Sequence, residues 1–185
     1  MSYPGFTTWF TGLPCSGKST ISVLLAEAIK KERGQIEILD GDVVRTHLSK
    51  GLSFSREDRE TNLKRVAWVA NLLTRNGVPV IAATISPFEN TREWARDLIG
   101  DHYIEVYTRA SIESCMERDV KGMYKKAMAG EIKGFTGVDD PFDEPEDPEV
   151  IVDTDKASPE ECTAAILKYL RENGYMPDAV TVGND

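Results

Sequence analysis

The chain has 185 residues, three cysteines and a net charge of −9 at pH 7. This length suits one well-buried domain, and the negative charge disfavours a general binder of nucleic acid or anionic membranes, because both need a basic surface. Cys15, Cys115 and Cys162 are scattered, so we expect neither a disulfide framework nor a zinc site. No apolar run approaches the ~20 residues of a membrane span, and the N-terminus does not look like a secretion signal, so we expect a cytoplasmic protein.

The first predicted strand, residues 6–11, runs into a glycine-rich loop. The loop Gly12-Leu13-Pro14-Cys15-Ser16-Gly17-Lys18-Ser19 fits the pattern G-x-x-x-x-G-K-S/T of a phosphate-binding loop. Apolar residues at helical spacing follow over residues 21–31, so the loop leads into a helix. In such loops the backbone amides hold phosphate oxygens, the lysine reaches the β- and γ-phosphates and the final hydroxyl binds Mg²⁺. We therefore predict a site for ATP or GTP with Mg²⁺ that extends to Thr20, with Lys18 in catalysis and Ser19 at the metal.

Two carboxylates, Asp40 and Asp42, follow the second predicted strand, residues 35–39. Ligands of open parallel sheets bind at the carboxyl ends of the strands. One aspartate could hold Mg²⁺ through water, and the other could orient or deprotonate an attacking hydroxyl. The alternative is a turn and helix cap that starts the short helix predicted over residues 43–48. The buried strand predicted over residues 78–84 supplies no carboxylate, because it runs into Ile85-Ser86-Pro87.

The remaining pattern alternates strands and helices. A helix cap at Ser55 precedes a long helix from Arg56 to Asn76, and further helices are predicted over residues 89–99, 111–119, 122–128 and 158–172, with strands over 103–107 and 150–153. This order predicts an α/β protein with the three-layer P-loop NTPase fold and a five-stranded parallel sheet. We expect one kinase domain over residues 1–175, a lid over residues 121–148 that includes an acidic, aperiodic segment, and a peripheral tail over residues 176–185.

Arginine and aromatic side chains near the same sheet edge indicate an anionic second ligand. Arg45 and Arg59 suit bidentate capture of sulfate or phosphate oxygens, although exposed helix arginines are common. Phe54 and Phe135 lie in polar or glycine-rich loops, where they could stack on a base or fill unrelated parts of the core. Lys121 could supply positive charge from the lid or belong to a solvated helix face.

Taken together, these motifs closely resemble the adenylylsulfate kinase family over residues 5–175. The resemblance includes the phosphate loop, the runs 39–45, 52–59 and 121–127, Ile85-Ser86-Pro87-Phe88 and Phe135-Thr136-Gly137. Family members transfer the γ-phosphoryl group of ATP to the 3′-hydroxyl of adenosine 5′-phosphosulfate (APS), giving 3′-phosphoadenosine 5′-phosphosulfate and ADP. They are commonly homodimers, so the resemblance implies ATP, Mg²⁺, APS and a second copy of the chain as partners, without nucleic acid or membrane.

The resemblance also implies roles for individual residues. Phe54 and Phe135 would sandwich the adenine of APS, Lys121 would approach its phosphosulfate, and Ser86 matches a serine discussed as a phosphorylation site. The implied APS contacts are Asp42, Arg45, Phe54, Arg59, Asn62, Ile85, Ser86, Lys121, Gly134 and Phe135. The implied catalytic residues are Lys18, Asp40, Asp42 and Ser86, with Ser19 and Asp40 at the metal. The ATP adenine would lie near Arg118, Thr154 and Ala157.

Two positions depart from the family pattern. Val43 stands where the family often has asparagine, and Glu89 stands where it usually has a basic residue. Two other functions therefore stay open at this point. One is a kinase of the same fold that acts on another nucleotide-linked acceptor, such as a cytidine diphosphoramidate, and the other is a nucleotide-binding regulator without catalysis.

Overall fold

The computed structural model describes residues 3–178 and contains one parallel sheet of five strands. The strands are β1 (Thr7–Thr11), β2 (Glu37–Asp40), β3 (Val80–Ala83), β4 (Tyr103–Arg109) and β5 (Val150–Asp153). Their order is β2-β3-β1-β4-β5, and every pairing is parallel. The predicted sheet is confirmed, and β1, which delivers the phosphate loop, lies at its centre.

Helices cover both faces of the sheet. They are α1 (Lys18–Arg33), α2 (Gly41–His47), α3 (Arg56–Thr74), α4 (Glu89–Ile99), α5 (Ile112–Arg118), α6 (Met123–Met128) and α7 (Pro159–Glu172), with a 3₁₀ turn at Gly100–His102. Helices α1 and α7 pack together on one face, and α3 and α4 pack together on the other. This is the three-layer arrangement that the alternation of strands and helices predicts.

The side chains of β1 and of Phe6, the residue before it, show why the sheet needs both layers. Phe6 and Phe10 are fully buried and belong to the core beneath α1 and α7, whereas Trp9 is fully buried in the core beneath α3 and α4. Successive side chains of a strand point to opposite faces, so a continuous apolar run fits a strand covered on both sides. Burial of each of these aromatic side chains contributes about 2–3 kcal/mol to folding.

Local capping fixes the starts of two helices where the sequence predicts them. The Ser55 hydroxyl accepts a hydrogen bond from the backbone N–H of Asp58 at 3.2 Å. Ser158 and Glu161 form a reciprocal capping box, with Pro159 at the first helical position. Each cap satisfies backbone N–H groups that have no partner within the helix.

The predicted lid contains α6 followed by a long loop. Around it lies a small apolar cluster of Cys115, Tyr124, Ala127 and Phe135. Tyr124 donates its hydroxyl to the Pro14 carbonyl at 3.1 Å, which fastens α6 to the phosphate loop.

The first residue of the predicted tail, Met176, lies against the body of the protein. Met176 is 2% exposed and belongs to the core beneath α1 and α7, because an apolar side chain gains more from burial than from solvent there. The predicted tail beyond residue 178 lies outside the described residues. Within residues 3–178, no helix is both long and apolar enough to cross a membrane.

Candidate active site

The phosphate loop has a backbone that glycine makes possible. Gly12 and Gly17 have φ of 147° and 99°, and a Cβ atom on Gly12 would lie 2.5 Å from the Thr108 carbonyl oxygen. Cys15 also has a positive φ, at 62°. The Gly12 N–H donates to the Ile85 carbonyl at 3.2 Å, which joins the loop to the segment that follows β3. The curled backbone that the sequence pattern predicts is therefore present.

Lys18 lies inside this loop. Its Nζ donates to the carbonyl oxygens of Gly12 and Leu13 at 2.8 and 2.6 Å and to Ser16 Oγ at 3.2 Å. The side chain is nearly fully buried, and this burial lowers the pKa of Lys18 to about 8. Ser19 and Thr20 are exposed in the first turn of α1, directly beside the loop.

A second group of residues contacts the phosphate loop at Ser16. The Arg118 guanidinium donates to Thr154 Oγ1 at 2.9 Å and to the Thr154 carbonyl at 2.8 Å. Thr154 Oγ1 in turn donates to the Ser16 carbonyl at 3.0 Å. Ala157 closes the same turn through a hydrogen bond from its N–H to the Asp153 carbonyl. The structure thus brings together the three residues that the family resemblance places at the ATP adenine.

The two aspartates after β2 have different surroundings. Asp40 caps α2, since its Oδ1 accepts from the N–H groups of Asp42 and Val43 at 3.0 and 3.4 Å. This is the helix-cap alternative, and it engages only one of the two carboxylate oxygens. Asp42 Oδ2 instead pairs with Lys121 Nζ at 2.6 Å, and both side chains are largely exposed. Lys121 therefore connects the lid to the strand edge, and the hydrogen bond that it donates to Asp42 raises the pKa of Lys121.

A cationic and aromatic cluster lies beside these aspartates. The Arg45 guanidinium stacks on the Phe54 ring at 4.3 Å, and Phe54 is 67% exposed. Burial, followed by repulsion from Arg59, lowers the pKa of Arg45. Asn62 is buried one turn beyond Arg59, and its Oδ1 has no hydrogen-bond partner within residues 3–178.

Arg59 reaches from α3 to the lid. Its Nη1 donates to Thr136 Oγ1 at 3.0 Å and pairs with Asp140 Oδ2 at 2.8 Å, and its Nη2 donates to the Gly134 carbonyl. Phe135, between these contacts, is 9% exposed and meets Tyr124 edge-to-face at 4.9 Å. Phe54 is thus on the surface and Phe135 in a small core, so their shared stacking role stays a prediction.

Ser86 lies in the turn after β3, with a positive φ of 45°. It is 1% exposed, and its Oγ accepts from Trp9 Nε1 and bonds Thr84 Oγ1, both at 2.8 Å. The preceding residue, Ile85, uses its carbonyl to bind Gly12. The Ser86 hydroxyl therefore stabilises the turn in this structure, and its predicted roles in catalysis and APS contact stay untested.

Sequence reasoning missed a buried ionic network around Arg92. This side chain is 1% exposed and pairs with Glu105 at 2.8 Å and with Glu89. It also donates to the carbonyl oxygens of Ser86 and Asp143 at 2.9 and 2.8 Å. Burial raises the pKa of Glu105, although the nearby arginines oppose this shift. Its partners are 3 to 51 positions away along the chain, so no local sequence pattern indicates this network.

Comparisons with known proteins agree with this geometry. The family model described as adenylylsulphate kinase matches residues 4–153. The adenylyl-sulfate kinase of Picosynechococcus sp. is 52% identical over 95% of this chain and 99% of its own length. That of Rippkaea orientalis is 48% identical over 98% and 100% of the two chains.

A solved structure is also similar. The APS kinase of Mycobacterium tuberculosis in complex with AMPPNP and APS has a TM-score of 0.87 and 37% identity, covering 91% of this chain and 99% of that one. The matches in sequence and in structure both extend over nearly the whole chain. The chain belongs to the adenylylsulphate kinase family.

Proposed function

We propose that the chain transfers the γ-phosphoryl group of ATP to the 3′-hydroxyl of APS. The observation that carries this proposal is the meeting of the phosphate loop, the Arg45 and Arg59 cluster and the lid, which contacts the loop through Tyr124 and the cluster through Arg59. A phosphate donor site thus adjoins a separate anion-binding site with an exposed aromatic ring. The related M. tuberculosis enzyme binds AMPPNP and APS together, in agreement with two such sites.

On the donor side, residues 12–20 bind the phosphates of ATP, and the Arg118, Thr154 and Ala157 turn binds its adenine. A Mg²⁺ ion fits here, because Mg²⁺ prefers one or two protein oxygens together with phosphates and water. The Ser19 hydroxyl is exposed beside the loop, and Asp40 has one carboxylate oxygen outside its cap. When bound, Mg²⁺ neutralises charge on the β- and γ-phosphates.

On the acceptor side, Arg45 and Arg59 bind the phosphosulfate and Phe54 stacks on the adenine. The buried Asn62 Oδ1 is available to accept a hydrogen bond from the acceptor. Ile85, Ser86, Gly134 and Phe135 line this part of the site. Phe135 reaches the adenine only by leaving or opening the small cluster that now buries it.

For the chemical step we infer that Asp42 aligns the 3′-hydroxyl and takes its proton, because Asp40 is engaged in capping α2. The 3′-oxygen forms a bond to the γ-phosphorus while the bond from that phosphorus to the bridging oxygen of ADP breaks. Lys18 follows the transferring group as a hydrogen-bond donor, and Lys121 keeps positive charge beside Asp42.

The test is ADP release with MgATP over a panel of acceptors. We expect turnover with APS alone, and loss of turnover in Lys18→Ala with an unchanged circular dichroism spectrum. Turnover only with a cytidine diphosphoramidate would assign another acceptor, and absence of turnover with every acceptor would indicate a regulator. Retained turnover in Lys18→Ala would refute the assignment of the phosphate loop.

We also propose a cytoplasmic homodimer, with residues 121–148 as the lid of a single kinase domain. Support for the dimer is an exposed apolar patch on α3 and α4, where Trp68 and Trp94 are 51% and 38% exposed. Lys64, one turn before Trp68, lies 5.9 Å from the Trp94 ring, so the two tryptophans share one patch. Sedimentation should show a dimer that Trp68→Glu converts to a monomer; an unchanged dimer would exclude this patch.

A further inference from the structure

The Arg59 side chain is already bonded to other residues of the protein, although the proposed function assigns it to an anion. Three hydrogen bonds tie it to Thr136, Asp140 and Gly134, which lie 75 to 81 positions away in the chain. A guanidinium has five N–H donors, so within residues 3–178 two of them stay available to a ligand. The side chain is only 12% exposed, which restricts the directions in which these donors can point.

Asp140 is the one charged partner among these three. Its Oδ2 lies 2.8 Å from Arg59 Nη1, and its side chain is 25% exposed. Its backbone is fixed as well, because its N–H donates to the Phe135 carbonyl at 3.2 Å and its carbonyl accepts from Gly137 at 2.8 Å. The fixed backbone therefore holds the carboxylate in place beside Arg59. Charge-assisted hydrogen bonds of this kind are strong when their geometry is fixed.

The neighbouring Asp139 has a different contact pattern. Its two carboxylate oxygens accept from the N–H groups of Gly134 and Phe135 at 2.8 and 2.6 Å, and these bonds lower its pKa. Asp139 thus closes the loop on itself, whereas Asp140 binds across to α3. Asp139 therefore stabilises its own loop and Asp140 binds Arg59, a difference that the acidic sequence alone does not show.

We propose that Asp140 is a positioning residue for the acceptor: it holds the Arg59 guanidinium so that its two remaining donors face the anion of APS. This rests on the proposed function. A simple Coulomb effect has the opposite sign, because removing a carboxylate near an anion site would improve anion binding. If Asp140 served only to close the lid, its substitution would raise KM for ATP and KM for APS alike.

The experiment compares Asp140→Asn, Asp140→Glu and Asp147→Asn by steady-state kinetics with each substrate varied. Asp147 is an exposed carboxylate of the same segment that makes no hydrogen bond in the described part of the chain, so its variant controls for loss of charge alone. We expect Asp140→Asn to raise KM for APS about tenfold or more, from loss of a charge-assisted hydrogen bond, with KM for ATP changed less than about twofold. Asp140→Glu should restore most of the loss, and Asp147→Asn should match the wild type.

A double-mutant cycle with Arg59→Lys provides the second readout. If Asp140 acts through Arg59, the two substitutions together should raise KM for APS by much less than the product of their separate effects. An unchanged or lower KM for APS in Asp140→Asn, equal effects on both substrates, or multiplicative effects in the cycle would overturn the proposal. Absence of APS turnover in the wild type would instead refute the proposed function, so the two failures are distinguishable.

Discussion

Burial of Lys18 predicts that nucleotide binding takes up a proton above neutral pH. The pKa of Lys18 is lowered to about 8, whereas in the complex the ATP phosphates stabilise the ammonium and return its pKa at least to the ordinary 10.5. The free site is then about half charged at pH 8 and about one-tenth charged at pH 9. Binding at pH 8.5 should take up about 0.75 proton, and affinity for MgATP should fall about tenfold from pH 7 to pH 9.

The stability of the free protein should respond with the opposite sign. The unfolded chain keeps a proton on Lys18 up to pH 10.5, whereas the folded chain loses it above about pH 8. The unfolded state therefore binds more protons between these values, and the contribution of Lys18 to the free energy of unfolding rises with pH in that window. Chemical denaturation at pH 8 and pH 10, compared with Lys18→Met, measures this contribution.

Calorimetry can measure the proton uptake directly. MgATP is titrated into the protein without acceptor at pH 8.5, in buffers that differ in ionisation enthalpy, and the slope of heat against that enthalpy is the number of protons bound. Lys18→Arg is the matched control, because a guanidinium stays charged and should take up no proton. Cys15→Ser controls for the thiol in the same loop.

Two results would refute the reasoning about Lys18. Uptake below about 0.2 proton at pH 8.5 would mean that the ammonium is already charged in the free loop. The same uptake in Lys18→Arg as in the wild type would assign the proton to another group.

Three further substitutions test separate parts of the site. Phe54→Ala should raise KM for APS about tenfold and leave KM for ATP unchanged, because base stacking is worth ~1–3 kcal/mol; equal effects on both would contradict stacking beside Arg45. Arg118→Ala should raise KM for ATP only, and a change confined to KM for APS would contradict the placement of the ATP adenine beside Arg118. Ser86→Ala should lower the free energy of unfolding by about 1–3 kcal/mol in urea denaturation, since the buried Trp9 indole loses its acceptor, with kcat unchanged. Loss of kcat at unchanged stability would support a catalytic Ser86.

Local sequence patterns predict most of the fold. The glycine spacing of the phosphate loop, the apolar run of β3 and the cap residues Ser55 and Ser158 each act over a few positions, so they can be read without knowing the tertiary structure. Burial of loop aromatics is different. Phe135 lies in a glycine-rich loop, and its burial depends on α6 bringing Tyr124 against it, which no local pattern encodes.

The candidate site shows the same division between local and distant information. The capping role of Asp40 is local, so it stood among the alternatives, and the structure shows it. The partner of Arg59 is 81 positions away in a segment whose composition indicated only a lid. Acidic runs are usually solvated, and only the tertiary structure distinguishes Asp140 from the exposed carboxylates that surround it.

The cations of the candidate site all have acceptors within the protein. Lys18 binds loop carbonyls, Lys121 binds Asp42, and Arg59 binds Asp140. Lys18 can exchange its loop carbonyls for ligand oxygens, so its contribution to affinity is the difference between the two sets of contacts, whereas Arg59 keeps Asp140 and offers its two remaining donors. Local cations of this kind let a chain of net charge −9 bind anionic ligands without a generally basic surface.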